Sequence, residues 1–473
     1  MRRTQGHRTA YSSGSFRQLK PHPGSAGTAV RDHQLGRIHA ATIDLVAQGG
    51  YKSLSAAAIA RAAGVSKHTF YEHFADKEEC FLATYDLIVR EMTRGILAAQ
   101  SSDGREWQKK LRVGFVTLAE ELAEQPAAAQ FALVEIFNGR PQAAQRVAHA
   151  AGLLEALISH TFDRAGDGVT LPTALRRVIV GGCSAVARAR LLTGRAEELR
   201  DEVDGLIEWA QSLRHIDAGR ACQEGSTRAV ASMRRPPGPG PRAKAGRRER
   251  EMILCSCANL CATDGYAKLS VERVRAVVGI SPRRFSAYFD GIEACFLASI
   301  DYVSRGCIAE VRWAYESEED WPRAICAALD ALCGWLDDDQ ELVRLLLVEV
   351  FVAGPVAMDW RTERIASLAA LAYSSLPPAR RPSAVAGEAS VAGAWALLAS
   401  RAREDPGSSL LPLVPSLCFV LLAPVVGPRS AAAAIEALHL EPADAEDQKR
   451  SGHDRRLRAT PGREGEKEPV PGC

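Results

Sequence analysis

The stretch Ser55-Ala-Ala-Ala-Ile-Ala-Arg-Ala-Ala-Gly64-Val-Ser66-Lys-His-Thr-Phe-Tyr-Glu-His-Phe74 reads as a short helix, a glycine-centred turn and a second short helix. Ser55 is placed to cap the first helix, where its hydroxyl lies beside free N–H groups that also suit a phosphate. Gly64 supplies the positive φ that ends that helix and turns the chain. Ser66 is placed to cap the second helix. Ile59, Ala63, Val65, Phe70 and Phe74 then face inward, which leaves Lys67, His68, Thr69, Tyr71 and His73 largely outward. An exposed short helix rich in donors, held at a fixed angle by its partner, is what reading a DNA major groove requires. A helix–Gly–helix turn alone is a moderate signal, since many proteins contain one.

The surrounding residues sharpen it. Arg37-Ile-…-Ala41-…-Leu45-…-Gly50-Tyr51, then Ile59-Ala60, Ala63-Gly64-Val65-Ser66, Thr69-Phe-Tyr71, His73-Phe74 and Lys77-Glu78-Glu79-Cys80-Phe81 together resemble the N-terminal domain of TetR-family regulators. The resemblance implies a three-helix DNA-binding head, a connecting fourth helix, and a helical ligand-sensing body whose last two helices form a dimer interface. It implies that Ser55, Tyr71, His73 and Lys77 contact phosphates. The segment Lys67, His68 and Thr69 then faces the bases, with the capping Ser66 among the DNA-binding residues and Arg61 as an additional contact, although an exposed Arg on a helix needs no purpose. The partners so implied are a double-stranded DNA operator and a small-molecule effector, with a repressor as the expected output.

The head is one copy of a repeat. Residues 50–86 laid over 265–301 agree at 14 of 37 positions without a gap, among them Gly50/Gly265, Gly64/Gly279, Ser66/Ser281, Phe70/Phe285 and Phe74/Phe289. One residue shorter, the register continues: Trp107 meets Trp321, and Leu133-Val-Glu-Ile-Phe137 meets Leu347-Val-Glu-Val-Phe351. The expected architecture is all-α, with two tandem TetR-like units of helix-turn-helix head plus body. Unit 1 is placed at 31–213 (head 31–79) and unit 2 at 247–428 (head 247–294). A basic arm at 1–30, a basic Pro/Gly-rich linker at 214–246 and a short helix with a disordered tail at 429–473 complete the chain. Such a linker could span up to roughly 100 Å, so it hardly restricts docking. Apolar residues recur at three- and four-residue spacing, which predicts unit 1 helices near 31–48, 55–63, 67–73, 77–98, 106–124, 127–137, 141–163, 171–193 and 196–213.

The second copy departs where contact matters. Gly279-Ile-Ser-Pro-Arg-Arg-Phe-Ser-Ala-Tyr-Phe289 keeps the turn, the cap, a helix-starting proline and the aromatic core. Yet Thr69 becomes Arg284, Tyr71 becomes Ser286, His73 becomes Tyr288 and Lys77 becomes Ile292. Candidate contacts there are Ser270, Ser281, Arg283, Arg284 and Tyr288, with Arg273 and Arg275 nearby. This head either reads a different, more G-rich half-site or has become structural.

The remaining composition narrows the class. A net charge of +2 on 473 residues announces no nucleic-acid binder, but residues 1–31 hold six basic side chains and no acid. Of the 12 cysteines, Cys255, Cys257 and Cys261 form the one tight cluster, and they fall on a predicted helix without a partnering Cys or His pair. Buried thiols of a reduced, cytoplasmic, nucleoid-associated protein are expected rather than a metal site. Residues 410–426 are nearly all apolar but short for a membrane span and carry three prolines, which favours a buried interface helix. Glu135 and Glu349 recur inside apolar runs and need partners, most simply a structural Arg, otherwise a ligand cation. No Ser–His–acid arrangement, phosphate-binding glycine loop or metal cluster supports an enzyme, and no cofactor is implied. With both partners on one chain, an intramolecular pseudo-dimer is the economical arrangement. The alternatives are a homodimer of whole chains with only the first heads on DNA, and a small-molecule binding protein or co-regulator without DNA binding.

Overall fold

Helix starts in this chain fall at hydroxyls and prolines, and several ends fall at glycines. The computed structural model describes residues 27–101, 106–138, 141–215, 218–222 and 245–440, all helix and turn with no strand among them. The first half runs α1 (Gly27–Gly49), α2 (Ala56–Ala63), α3 (Lys67–His73), α4 (Lys77–Ser101), α5 (Trp107–Glu124), α6 (Pro126–Leu133), α7 (Pro141–Asp163), α8 (Thr173–Leu192) and α9 (Leu199–Ser212). A short α10 (Ala218–Ala221) follows. The second half runs α11 (Ala245–Asp264), α12 (Val271–Val278), α13 (Pro282–Ser286), α14 (Ile292–Glu316), α15 (Trp321–Asp337), α16 (Gln340–Arg344), α17 (Pro355–Ala372), α18 (Ala384–Glu404), α19 (Val414–Val426) and α20 (Pro428–Leu440).

Three expectations need correction. The helix predicted over 127–137 stops at Leu133: Val134 leaves helical geometry (φ −121°, ψ −60°), and Glu135–Asn138 form a 3-10 turn. Its counterpart, Leu345–Glu349, is a π-helical turn. In both places the chain rotates a glutamate toward its own head, which a continuous α-helix would not do. The segment 214–246 is not linker from end to end, because Ala218, Ala221 and Cys222 are buried against α19 and α20, and Ser416 Oγ donates to the Cys222 carbonyl at 3.4 Å. The freedom expected of the linker is reduced accordingly. Helix α1 begins at Gly27, inside the expected arm 1–30. The rest of that arm, the Pro/Gly-rich run 234–242 and the tail beyond 440 lie outside the described residues.

The two bodies meet through α8 and α18, which pack along most of their length, with α9 and α19 beside them. The approach is close because glycines stand at the crossing. A Cβ at Gly182 would lie 2.5 Å from the Ala389 carbonyl oxygen, and one at Gly393 2.6 Å from that of Val178. Trp209 on α9 buries its ring here and donates Nε1–H to Ser390 Oγ at 2.9 Å. Arg190, almost buried, pairs with Glu202 of its own half at 2.7 Å and with Glu388 across the contact at 2.9 Å. Helix α19, the apolar 410–426 run, is buried against α15, α20 and this contact, and no helix among the described residues is long and apolar enough to cross a membrane.

Core continuity differs between the halves. The first head has its own core of Ile38, Ile59, Phe70, Phe74 and Phe81, closed by Phe131 and Ile136 from the body. The second head's Ile253, Val274, Phe285 and Phe296 belong to one core that runs on through both bodies. Gly393→Val should force α8 and α18 apart and cost about 1–3 kcal/mol of stability, as overpacking a tight contact does. Chemical denaturation of the full chain is the check; wild-type stability would show that the helices do not meet there.

Candidate functional site

The first head is assembled by side chains that hold its turn. Ser55 Oγ accepts from Ala58 N–H at 3.1 Å and Ser66 Oγ from Thr69 N–H at 2.9 Å, so both hydroxyls cap the helices they precede. Gly64 takes φ 63°, ψ 38°. Arg37 on α1 donates through Nε to the Ala63 carbonyl at 2.7 Å and through Nη2 to the Ala63 and Gly64 carbonyls. It neutralises the carbonyl end of α2 where the turn begins. The sequence quoted Arg37 only for resemblance; this clamp was not foreseen.

On the outer face, Lys67 and His68 are exposed at the start of α3, and Tyr71 is 55% exposed with its ring edge against Phe70. His68 lies 3.4 Å from Glu72 one turn on. Thr69 is half-buried, its hydroxyl 2.9 Å from Ser66 Oγ, and His73 is half-buried beside Phe74. Arg61 is exposed on α2. Lys77 is more constrained than expected: its ammonium donates to the Leu54 carbonyl at 2.9 Å and sits 5.0 Å over the Tyr51 ring. That places it next to Ser55 at the start of α2, so two of the residues expected to contact phosphates are neighbours.

The second head keeps the frame and changes the face. Ser270 and Ser281 cap α12 and α13, accepting from Arg273 N–H at 3.3 Å and Arg284 N–H at 3.2 Å. The Arg37 position is Met252, 52% exposed, so that clamp is missing. Arg284 pairs with Glu249 of α11 at 2.7 Å, and Tyr288 donates to the same carboxylate at 3.1 Å. Arg283 is exposed, while Arg273 turns to Asp264 and Arg275 to the Ile280 carbonyl. Two of the residues expected to contact DNA are thus held by one carboxylate of the same head.

Both recurrent glutamates tie body to head. Glu135 accepts Tyr51 N–H at 3.0 Å, and a Cβ on Gly50 (φ 67°) would lie 3.2 Å from its carboxylate. Glu349 accepts Tyr266 N–H at 2.8 Å beside Gly265 (φ 87°) and pairs with Arg344 at 3.1 Å. The structural Arg expected for these carboxylates is Arg344 at Glu349, and a backbone amide of the head is among the partners of Glu135. Cys257 and Cys261 are buried and Cys255 is exposed.

The first body encloses a cavity of about 120 Å³ between α4, α5, α7, α8 and α9. Met92, Ile96, Phe115, Leu118 and Leu133 give it an apolar wall, with Gln100 and Thr161 at a polar end. Gln100 Nε2 is 3.5 Å from Thr161 Oγ1. The matching residues of the second half are Tyr315 and Ser375, whose oxygens lie 2.7 Å apart, beside Trp321 donating to the Ala372 carbonyl at 2.8 Å. Tyr315 stands there at the position of Gln100 in the first half.

Residues 38–84, the first head and the start of α4, match the family profile of "Bacterial regulatory proteins, tetR family". The HTH-type transcriptional activator FasR of Mycolicibacterium smegmatis is 26% identical over 198 residues, 40% of this chain and 88% of FasR. The first head is thus similar to those of TetR-family regulators. Among solved structures, the fatty acid degradation regulator FadR of Bacillus halodurans is 20% identical, covering 37% of this chain and 96% of its own, with a TM-score of 0.34. A TetR-family regulator of Marinobacter aquaeolei VT8 is 23% identical over 40% of this chain and 98% of its own, with a TM-score of 0.33. These relatives are regulators rather than enzymes.

One buried group gives this TetR-type head a pH dependence. His39 on α1 lies under α3 and α4, with Nδ1 2.8 Å from Thr84 Oγ1 and its ring on Phe74. Burial, with lesser contributions from the charges of Arg90 and His73, pushes its pKa from 6.5 to about 4. The unfolded chain therefore takes up a proton near pH 6.5 that the folded head refuses until about pH 4. Stability from this group is full above 6.5 and is lost as pH falls through that window, by about 3 kcal/mol in all. Thermal denaturation from pH 7.5 to 4.5 should show this slope in the wild type and a flatter one in His39→Gln.

Proposed function

We propose that this regulator reads DNA as a pseudo-dimer made by one chain, in which both halves are TetR-like units and an apolar effector controls the first. The observation that carries the reading is the α8–α18 contact, with Arg190 shared between Glu202 of one half and Glu388 of the other. A buried guanidinium of this kind is costly unless both carboxylates are in place, so the contact specifies a partner as well as covering apolar surface. A homodimer of whole chains through the same helices would have to expose what the chain already covers. A carrier without DNA binding is disfavoured by the exposed Lys67, His68 and Tyr71 on a capped, clamped helix.

The two heads then offer unlike faces to an operator. The first brings Lys67, His68 and Thr69 to bases, with Ser55, Ser66, Tyr71, His73 and Lys77 on the flanking phosphates and Arg61 beside them. The second brings Arg283, while Arg284 and Tyr288 are engaged by Glu249. Its contribution is the weaker one, and its half-site is the richer in guanine.

The effector is best matched by a largely lipophilic molecule, since Gln100, Thr161 and Ser184 are the main polar groups in an otherwise apolar wall. Leu133 lines that wall, and two residues later Glu135 holds the head at Tyr51. Moving Leu133 outward would move the head relative to the body. Where the operator overlaps a promoter, the resulting output is repression relieved by the effector. A cytoplasmic, nucleoid-associated location follows from that role.

Four results are expected. A protease site inserted after Met233 and cleaved in the purified protein should leave the halves co-eluting at the size of the intact chain; separate elution would reject the pseudo-dimer. Selection from random DNA should return two unlike half-sites. Tyr71→Ala with Lys77→Ala should weaken binding to every sequence and lower the salt slope by about one to two phosphate contacts. Glu249→Gln should instead strengthen binding several-fold by freeing Arg284, and a palindromic site with no effect of Glu249→Gln would demote the second head to scaffold.

A further inference from the structure

Where the halves meet behind the two glutamate segments, three guanidinium groups gather around two facing rings. Phe137 of the first half and Phe351 of the second lie 5.6 Å apart between centroids. Arg188 of α8 stacks at 4.8 Å on Phe137, and Arg361 of α17 and Arg403 of α18 stack at 5.0 and 5.4 Å on Phe351. Arg361 also lies 5.6 Å over the Trp395 ring.

Among the described residues, no carboxylate pairs with Arg188 or Arg361. Arg361 is 2% exposed, and its Nε has no hydrogen-bond partner. Arg188 is 6% exposed and spends its Nε on the Leu133 carbonyl at 2.7 Å. Glu404, the carboxylate that bears on Arg403, is already paired with Arg177 at 2.8 Å. Cation–π contact offsets only part of the desolvation of a guanidinium, and three like charges add mutual repulsion. Burial, with lesser contributions from the charges of Arg188 and Arg403, pushes the Arg361 pKa well down. Arg190, by contrast, shows how this chain treats a buried Arg it intends to neutralise: two carboxylates close on it.

We propose that Arg188, Arg361 and Arg403 form an anion site between the halves that takes a phosphoryl or pyrophosphoryl group. Planar forks suit such oxygens in bidentate fashion, and three of them match more than one negative charge. Arg403 is exposed, which leaves the cluster open on one side. The Leu133 carbonyl held by Arg188 belongs to the residue whose side chain walls the cavity. The anion is therefore either the head of the amphiphile whose tail fills that cavity or a free phosphate compound. In both cases it bridges the halves and bears on the segments that hold the two heads. The site rests on the pairing proposed above, but its test reads anion binding rather than DNA binding.

Calorimetric titration of the full chain with inorganic pyrophosphate, at ionic strength matched with sodium chloride, should give saturable binding of one equivalent per chain. Arg361→Met should weaken it at least tenfold while folding as well as wild type, because it removes an unpaired buried charge. Arg403→Gln, at an exposed position, should weaken it several-fold and guards against misfolding of the first variant. Lys67→Ala with Arg283→Ala, which alters both heads, should leave it unchanged. Octyl phosphate binding at least tenfold tighter than inorganic phosphate, with the excess lost in Gly114→Leu, which fills the cavity from its α5 wall, assigns the anion to the cavity ligand; equal affinities assign it to a free anion. No saturable binding, or binding kept in both arginine variants, overturns the site. Failure of the pairing alone would appear separately, as halves that part after cleavage beyond Met233.

Discussion

Helices α8 and α18 can approach only as closely as Gly182 and Gly393 allow, and much of the molecule is arranged around that approach. Each glycine faces a backbone carbonyl of the other helix at a distance where no Cβ fits. The short separation lets Trp209 of one half reach Ser390 of the other, and lets Arg190 collect carboxylates from both. It also brings Phe137 against Phe351. Dispersion falls off so steeply with distance that a gap of even one methyl group here would forfeit much of this packing.

The pentapeptides Leu133-Val-Glu-Ile-Phe137 and Leu347-Val-Glu-Val-Phe351 do three jobs with three side chains in the first half. Leu133 walls the cavity, Glu135 holds the head at Tyr51, and Phe137 touches the other half. Neither copy is regular α-helix: one is a 3-10 turn and the other a π turn. Such departures are common where a helix must redirect a functional side chain. In the reading proposed here, cavity, head and interface communicate through five consecutive residues.

The two helix–turn–helix segments share one frame and differ in what holds them. Both keep serine caps and a left-handed glycine, because the turn cannot be made otherwise. The first adds the Arg37 clamp and keeps a core of its own, closed from below by Phe131 and Ile136. The second has lost the clamp, shares its core with both bodies, and spends Arg284 and Tyr288 on Glu249. A head with a separate core can tilt as a unit, whereas one fused to the bodies moves with them.

The sequence by itself determined the helices, the caps, the repeat and the family resemblance of the first head. These are local properties: hydroxyl at a helix start, glycine at its end, apolar residues every third or fourth place, all written within a few residues of each other. Arg37, His39, Glu249 and the cluster of Arg188, Arg361 and Arg403 were not legible, because each acts on a partner distant along the chain. The same holds for Lys77, whose ammonium turns to the Leu54 carbonyl, and for Glu135, whose partner is a backbone amide that no pattern of side chains announces. Which arginines would be neutralised and which left without an acid was decided only when α8 and α18 came together, since charge pairing depends on a few ångströms that spacing along a sequence does not encode.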